Sequence, residues 1–299
     1  MAATESSKHK GPDLSGKVIV VTGANTGIGK ETACALAAMG ATVVMTARNR
    51  AKGEEALAEV RRRSGNQSVE LGDLDLSSFA SIRAFAAGFL ASHDRLDVLV
   101  ANAGLILDAR TETAEGFETM FGVNHVGHFL LTDLLLDRLK ASKPARVVVV
   151  SSFVHRVALG GLDRADLDAV GSFSGFNRYA QSKLANAQFA LELARRLDGT
   201  GVTVNCLHPG SINSHFGGDG DTGLMGGLIK VFGRVFLRSP KGGAKTSILL
   251  ASSTAPRIAE TTGGYFSHGR RWPPSRQARS VEAARWLWEE TERRIAAVS

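Results

Sequence analysis

Residues 17–40, KVIVVTGANTGIGKETACALAAMG, constrain this chain more than any other stretch. The opening run KVIVVT is mostly apolar and β-branched, with Gly16 before it and Gly23 after. Such a run reads as a strand buried on both faces, as strands of parallel sheets are. A helical pattern, KETACALAAMG, follows at once. Between the two stand Gly23, Gly27 and Gly29, in the spacing G-x-x-x-G-x-G. Strand, glycine turn and helix in that order make a glycine motif credible as a dinucleotide site. Gly23 and Gly27 permit a tight turn and close backbone approach to a pyrophosphate, and Gly29 lets the helix pack against the strand. The helix N-terminus then offers unpaired N–H groups to the phosphates. Taken alone, the glycines would also suit an ordinary β–α turn.

The second strand reads ATVVMTARNR. NAD-selective sites carry an acid at its end, which accepts hydrogen bonds from the ribose 2′-OH. Here Ala47 occupies that place, Arg48 follows it, and Lys30 stands directly after the third glycine. Two cations and no carboxylate suit a 2′-phosphate, so the sequence predicts NADP(H) rather than NAD(H).

The same alternation runs to the C-terminus. Strand patterns fall near 17–22, 41–46, 68–73, 97–101, 146–151, 202–207 and 264–267, with helical patterns between them. This predicts an α/β fold: a single-domain Rossmann-type, doubly wound parallel sheet of about seven strands with helices on both faces. The domain is expected to span 14–299, a length one α/β domain can fill. Residues 1–13, MAATESSKHKGPD, carry no apolar run and read as a disordered tail. Ligands of such sheets bind beyond the carboxyl ends of the strands. Gly23, Asn102 and Ser152 all fall at such ends.

Tyr179 and Lys183 stand four apart in RYAQSKLANAQFALELARRL, a helical pattern. That spacing puts a phenol and an ammonium on one helix face. A phenol ionises near pH ~10, too high to exchange protons readily at neutral pH. A nearby positive charge favours the phenolate, so Lys183 is expected to lower the Tyr179 pKa.

The ordered segments TGANTGIG (22–29), LDL (74–76), ANAG (101–104), NHVGHF (124–129), VVVVSS (147–152), YAQSK (179–183) and HPG (208–210) resemble the short-chain dehydrogenase/reductase family. TGANTGIGK, YAQSKLAN, the late TGGYF and ARWLWEET look most like its retinol dehydrogenase branch. The resemblance implies a catalytic set. Tyr179 would be the general acid/base. Lys183 would tune Tyr179 and hold the nicotinamide ribose. Ser152 would hold the substrate oxygen, and Asn124 a water that relays protons to Lys183. It also implies cofactor contacts from Gly23, Asn25, Thr26, Gly27, Ile28 and Gly29 in the turn, and from Arg48. Asp75 and Leu76, then Asn102, Ala103 and Gly104, and finally Pro209 and Gly210, would complete the set. Ala101 departs from the Asn often found first in that third motif. The implied activity is an NADP(H)-dependent oxidoreductase interconverting a lipophilic alcohol and its carbonyl. A non-catalytic NADP(H) sensor or scaffold on the same fold is the alternative.

Three stretches qualify as substrate loops: 153–178, 211–239 and 267–276. The middle one holds LMGGLIKVFGRVFL behind the glycine-rich GGDGDTG. It reads as a substrate lid, a membrane-surface dock or a packed subunit contact. The family often pairs into dimers or tetramers through the helices after strands four and five, so a homodimer or homotetramer is expected. The net charge of +7 is scattered apart from Arg61–Arg63 and a thinner C-terminal cluster. No aromatics interleave with the first cluster, so no nucleic-acid partner is expected. His125 and His128 stand three apart, but no third ligand is near and no metal is expected. No secretory h-region and no apolar run of eighteen residues is present. Cys34 and Cys206 show no pairing pattern and fit a reducing compartment, hence a cytoplasmic location.

Overall fold

The computed structural model describes residues 11–158, 160–210 and 239–298. Its sheet holds β1 (Val18–Val21), β2 (Thr42–Ala47), β3 (Val69–Asp73), β4 (Val98–Ala101), β5 (Ala145–Val150), β6 (Val202–Leu207), β7 (Gly264–Ser267) and β8 (Arg270–Arg271). The spatial order is β3-β2-β1-β4-β5-β6-β7-β8. The first seven strands run parallel and β8 is antiparallel to β7. The doubly wound α/β sheet is borne out, with one strand more than expected. That extra strand is two exposed arginines, which carry no alternation to read. It forms because His268 and Gly269 both take left-handed dihedrals (φ 53° and 73°), as a two-residue hairpin turn requires.

Around the sheet lie α1 (Gly27–Ala38), α2 (Arg50–Ser64), α3 (Phe79–Ser92), α4 (Thr119–Phe121), α5 (Gly127–Ala141), α6 (Gly175–Arg196), α7 (Pro240–Ser252), α8 (Pro256–Ala259) and α9 (Val281–Ala296). A π-helical segment, Gly122–Val126, joins α4 to α5. Local chemistry sets several of the boundaries. Asn49 caps α2 by accepting from the Lys52 N–H at 3.0 Å, and Gly65 closes it in a left-handed conformation. Ser78, Ser239 and Ser280 cap α3, α7 and α9 in the same way.

Strand side chains alternate between two cores. Val18 and Val20 join Ile82, Leu99, Leu131, Leu184 and Leu287 on one face; Ile19 and Val21 join Leu36, Val43, Val60, Val148 and Leu250 on the other. Full burial of each such side chain contributes roughly 1.5–3 kcal/mol. Both faces being apolar is what lets the carboxyl ends of β1, β4 and β5 stand fixed at one edge.

Helix α9 crosses the outside of α5 and α6. The Trp288 ring lies 4.6 Å from Phe129 and 5.9 Å from Phe189, and His125 Nε2 lies 3.0 Å from Thr291 Oγ1. The two helices expected to carry subunit contacts are thus covered there by the chain's own C-terminal helix. A homodimer or homotetramer would need another stretch of them or another face. The expected lid, 211–239, lies outside the described residues but for its last, as does most of the expected tail. Among the described residues no helix is long and apolar enough to cross a membrane.

Candidate active site

The turn after β1 is built so that only glycine fits. Gly23 and Gly27 take φ of 62° and 57°. A β-carbon on Gly29 would overlap the Gly23 carbonyl oxygen and stand 2.6 Å from Asn102 Nδ2. Thr26 is the N-cap of α1 but makes no side-chain capping bond, and the first turn holds no acid. Its leading N–H groups thus have no capping side chain among the described residues, as suits a helix start that receives an anion. This cradle fits a pyrophosphate. Asn25 and Ile28 beside it are half-buried, and Thr26 is exposed.

Thr22 and His128, which sequence reasoning passed over for this site, tie that turn to β4. Thr22 Oγ1 accepts from the N–H groups of Asn102 and Ala103, each at 2.9 Å, and lies 2.9 Å from His128 Nε2. Asn102 Nδ2 donates back to the Thr22 carbonyl at 2.8 Å. The signal for His128 was its place in the HVGH run, weighed only as a metal pair. Burial instead leaves its imidazole pKa lowered to about 4, and His125, packed among Phe121, Phe129 and Phe189, lowered to about 3.

The predicted adenosine-side residues separate. Arg48, at the end of β2, is exposed and makes no ion pair or hydrogen bond among the described residues. Lys30 is not available in the same way: its Nζ sits 2.6 Å from Glu59 Oε2, a carboxylate that also accepts from Arg63. Glu59 lies a helix away in sequence, so this pairing could not be read from the glycine turn. Asp75 Oδ1 accepts from the Ser77 N–H and hydroxyl at 2.9 and 2.6 Å. The Leu76 carbonyl packs on Gly127, where a β-carbon would come within 2.5 Å. Pro209 and Gly210 follow β6, with Gly210 at φ 87°.

The proton-handling candidates do come together. Ser152 follows β5, and Tyr179 hydrogen-bonds with it from the first turns of α6. One turn on, Lys183 is 3% exposed, and its Nζ donates to the Val150 carbonyl at 3.4 Å. A β-carbon on Gly104 would stand 2.9 Å from that nitrogen and 3.2 Å from Asn124 Oδ1. The Asn124 side chain has both its N–H groups and one oxygen lone pair engaged. Its Oδ1 accepts from the Leu105 N–H at 2.8 Å; its Nδ2 donates to the Leu105 carbonyl at 3.0 Å and to Ser182 Oγ at 2.9 Å. Ser182 in turn donates to the Tyr179 carbonyl at 2.8 Å. The Asn124 main-chain carbonyl is approached by His128 Nδ1 at 3.1 Å.

The chain by itself holds the Tyr179 phenol above its ordinary value. Burial raises the phenol to about 12, and the hydrogen bond with Ser152 only partly offsets this. Lys183 is itself pushed down to about 8 by burial. Loss of water penalises phenolate and ammonium alike. The ammonium, 5.7 Å from the centre of the phenol ring, does not reverse that.

The profile of the short chain dehydrogenases matches residues 17–163. Human "Retinol dehydrogenase 12" is 46% identical over 275 residues, which span 92% of this chain and 85% of that protein. Bovine "Dehydrogenase/reductase SDR family member 13" is 47% identical over 278 residues, spanning 92% and 72%. Among solved structures, an uncharacterized protein from Mycobacterium paratuberculosis superposes with a TM-score of 0.77 at 33% identity, with 96% of each chain covered. The NADP complex of Pseudomonas aeruginosa RhlG gives 0.66 at 27% identity, over 86% of this chain and 96% of that one.

Proposed function

The chain belongs to the short chain dehydrogenase family, and from that membership we propose that it is an NADP(H)-dependent oxidoreductase interconverting a lipophilic alcohol and its aldehyde or ketone. The observation that carries this reading is the meeting of Ser152, Tyr179 and Lys183 at the sheet edge that also holds the glycine cradle. Gly23, Gly27, Gly29 and the start of α1 would hold the pyrophosphate, with Arg48 toward a 2′-phosphate and Gly104 and Lys183 toward the nicotinamide end. When bound, the nicotinamide supplies or takes the hydride.

The chain's own part is the proton and the oxygen. In reduction, the Tyr179 O–H gives its proton to the substrate oxygen while Ser152 Oγ holds that oxygen. Its raised pKa keeps the donor loaded at neutral pH. In oxidation Tyr179 must first lose its proton, so this direction needs extra positive charge near the phenol. Lys183 then returns a proton to Tyr179 or takes one from it, with the Asn124 carbonyl as the next station toward solvent. Phe153, beside Ser152, and Phe176, one turn before Tyr179, leave exposed apolar surface next to these groups. With relatives named for retinol, this favours a retinoid-like or long-chain carbonyl.

A screen of NADPH oxidation over apolar aldehydes and ketones tests the reading. Turnover by the wild type and its loss in Tyr179→Phe, with NADPH affinity retained, are expected. A Phe variant with near-normal kcat sinks the assignment.

A further inference from the structure

Two buried charges outside the proton-handling set, Glu118 and Arg178, join three segments that the site needs. Glu118 has no exposed surface, and Arg178 is 4% exposed. The Glu118 carboxylate accepts from the N–H groups of Met120 (2.8 Å) and Phe121 (2.9 Å), capping the helical run that carries Asn124. Its Oε2 also stands 3.7 Å from Arg178 Nε. Arg178 directly precedes Tyr179.

The same guanidinium grips the chain between Ser152 and Tyr179. It donates to the carbonyls of Asp166 (3.5 Å) and Leu167, and to Gln181 Oε1 (3.1 Å), which also accepts from the Asp163 N–H at 3.1 Å. Asp168 completes the ring. Its Oδ1 accepts from the Glu118 N–H at 3.1 Å, its Oδ2 from Arg294, and its carbonyl from Arg110 at 2.8 Å. Next to it, Ala169 sits at φ 50°, a conformation that side chains rarely adopt, so the surrounding contacts must hold the segment there. Charges this deep gain little stability over apolar packing of equal volume. What they supply is geometry: a planar fork can hold several carbonyls at once, which a lysine cannot.

We propose that Arg178 is a positioning residue, fixing the 163–168 segment in register with the start of the Tyr179 helix and, through Glu118, with the helix of Asn124. This rests on the oxidoreductase reading. Arg178 would act through that segment, part of the 153–178 stretch expected to contact substrate, and not by touching substrate or cofactor itself.

The test compares wild type, Arg178→Lys and Arg178→Met for KM and kcat with an apolar aldehyde, and for NADPH affinity by fluorescence. Arg178→Met should raise the aldehyde KM by about tenfold or more while NADPH affinity stays within about twofold. Arg178→Lys should fall between, since it keeps the charge but not the fork. An unchanged KM overturns the proposal, and so does an equal loss of aldehyde and NADPH affinity, which would mean general loosening. If Arg178→Met does not fold, Gln181→Leu removes a loop-side acceptor while leaving the Arg178–Glu118 pair, and must show the same split. A wild type inert toward every alcohol, aldehyde and ketone overturns the underlying reading and the proposal together. An active wild type with an unaffected Arg178→Met overturns the positioning role alone.

Discussion

Gly104 and Lys183 meet across the site: a β-carbon on the glycine would stand 2.9 Å from the lysine nitrogen. The lysine end is the tip of a flexible side chain, so Gly104→Ala should fold normally while displacing that nitrogen. A displacement near 1 Å at reacting groups costs about 10²-fold in favourable cases. We expect kcat to fall about tenfold or more with little change in Tm. Steady-state kinetics beside a thermal melt would check this, and an unchanged kcat would show that the position of the amine is not limiting.

Lys183 is held at a cost to folding. Burial lowers its pKa from 10.5 to about 8, so below pH ~8 the folded state keeps a charge that the unfolded chain solvates better. A shift of that size corresponds to about 3 kcal/mol as an upper bound. Lys183→Met should therefore abolish turnover and raise stability at pH 7. The unfolded state binds more protons at this position between pH ~8 and ~10, so the cost of Lys183 is relieved as pH rises through that window. Denaturant melts of both proteins across that window should show the gap narrowing; a constant gap would refute the charge argument.

Arg48 and Lys30 should prove unequal toward the cofactor. Glu59 already holds Lys30 at 2.6 Å, while Arg48 is exposed and unpaired among the described residues. Arg48→Ala should cut the preference for NADPH over NADH by about tenfold, the size of one lost charge-assisted contact of roughly 1.5 kcal/mol. Lys30→Ala should change it much less. Competing kcat/KM measurements with the two cofactors decide; a larger effect at Lys30 would reverse the assignment.

Asp97 anchors the start of β1 from the start of β4. Its carboxylate accepts from the Val18 N–H (2.9 Å), Lys17 (3.0 Å) and Arg95 (2.7 and 2.6 Å). Burial by itself would raise its pKa, but Arg95, the Val18 N–H and Lys17 outweigh that and hold it below its ordinary value. This stability is present above the unfolded value near pH ~4 and is lost as pH falls through the lower folded one. Asp97→Asn should cost about 1–3 kcal/mol at pH 7 and flatten the acid limb of the stability curve. Urea melts at pH 7 and pH 3 read both effects.

Much of the fold was legible because it depends on local pattern. VIVVT (18–22) and VVVV (147–150) are β-branched throughout, as strands buried on both faces are. The glycine turn was legible for the same reason: the structure demands left-handed dihedrals at Gly23 and Gly27, where side chains are disfavoured. The strand Arg270–Arg271 was not legible, since two exposed arginines carry no period. The capping role of Glu118 was missed because glutamate is not among the usual capping residues, and its partners Arg178 and Asp168 lie far along the chain.

Adjacency along the chain was enough to set the strands, the dinucleotide turn and the four-residue interval between Tyr179 and Lys183, because dihedral preference and helical pitch act over a few residues. Folding alone decided how acidic the phenol is, which cation Glu59 removes from the cofactor side, and that Arg178 reaches Glu118. Those outcomes depend on how much water is excluded and which distant groups fill its place, and both are properties of the packed molecule.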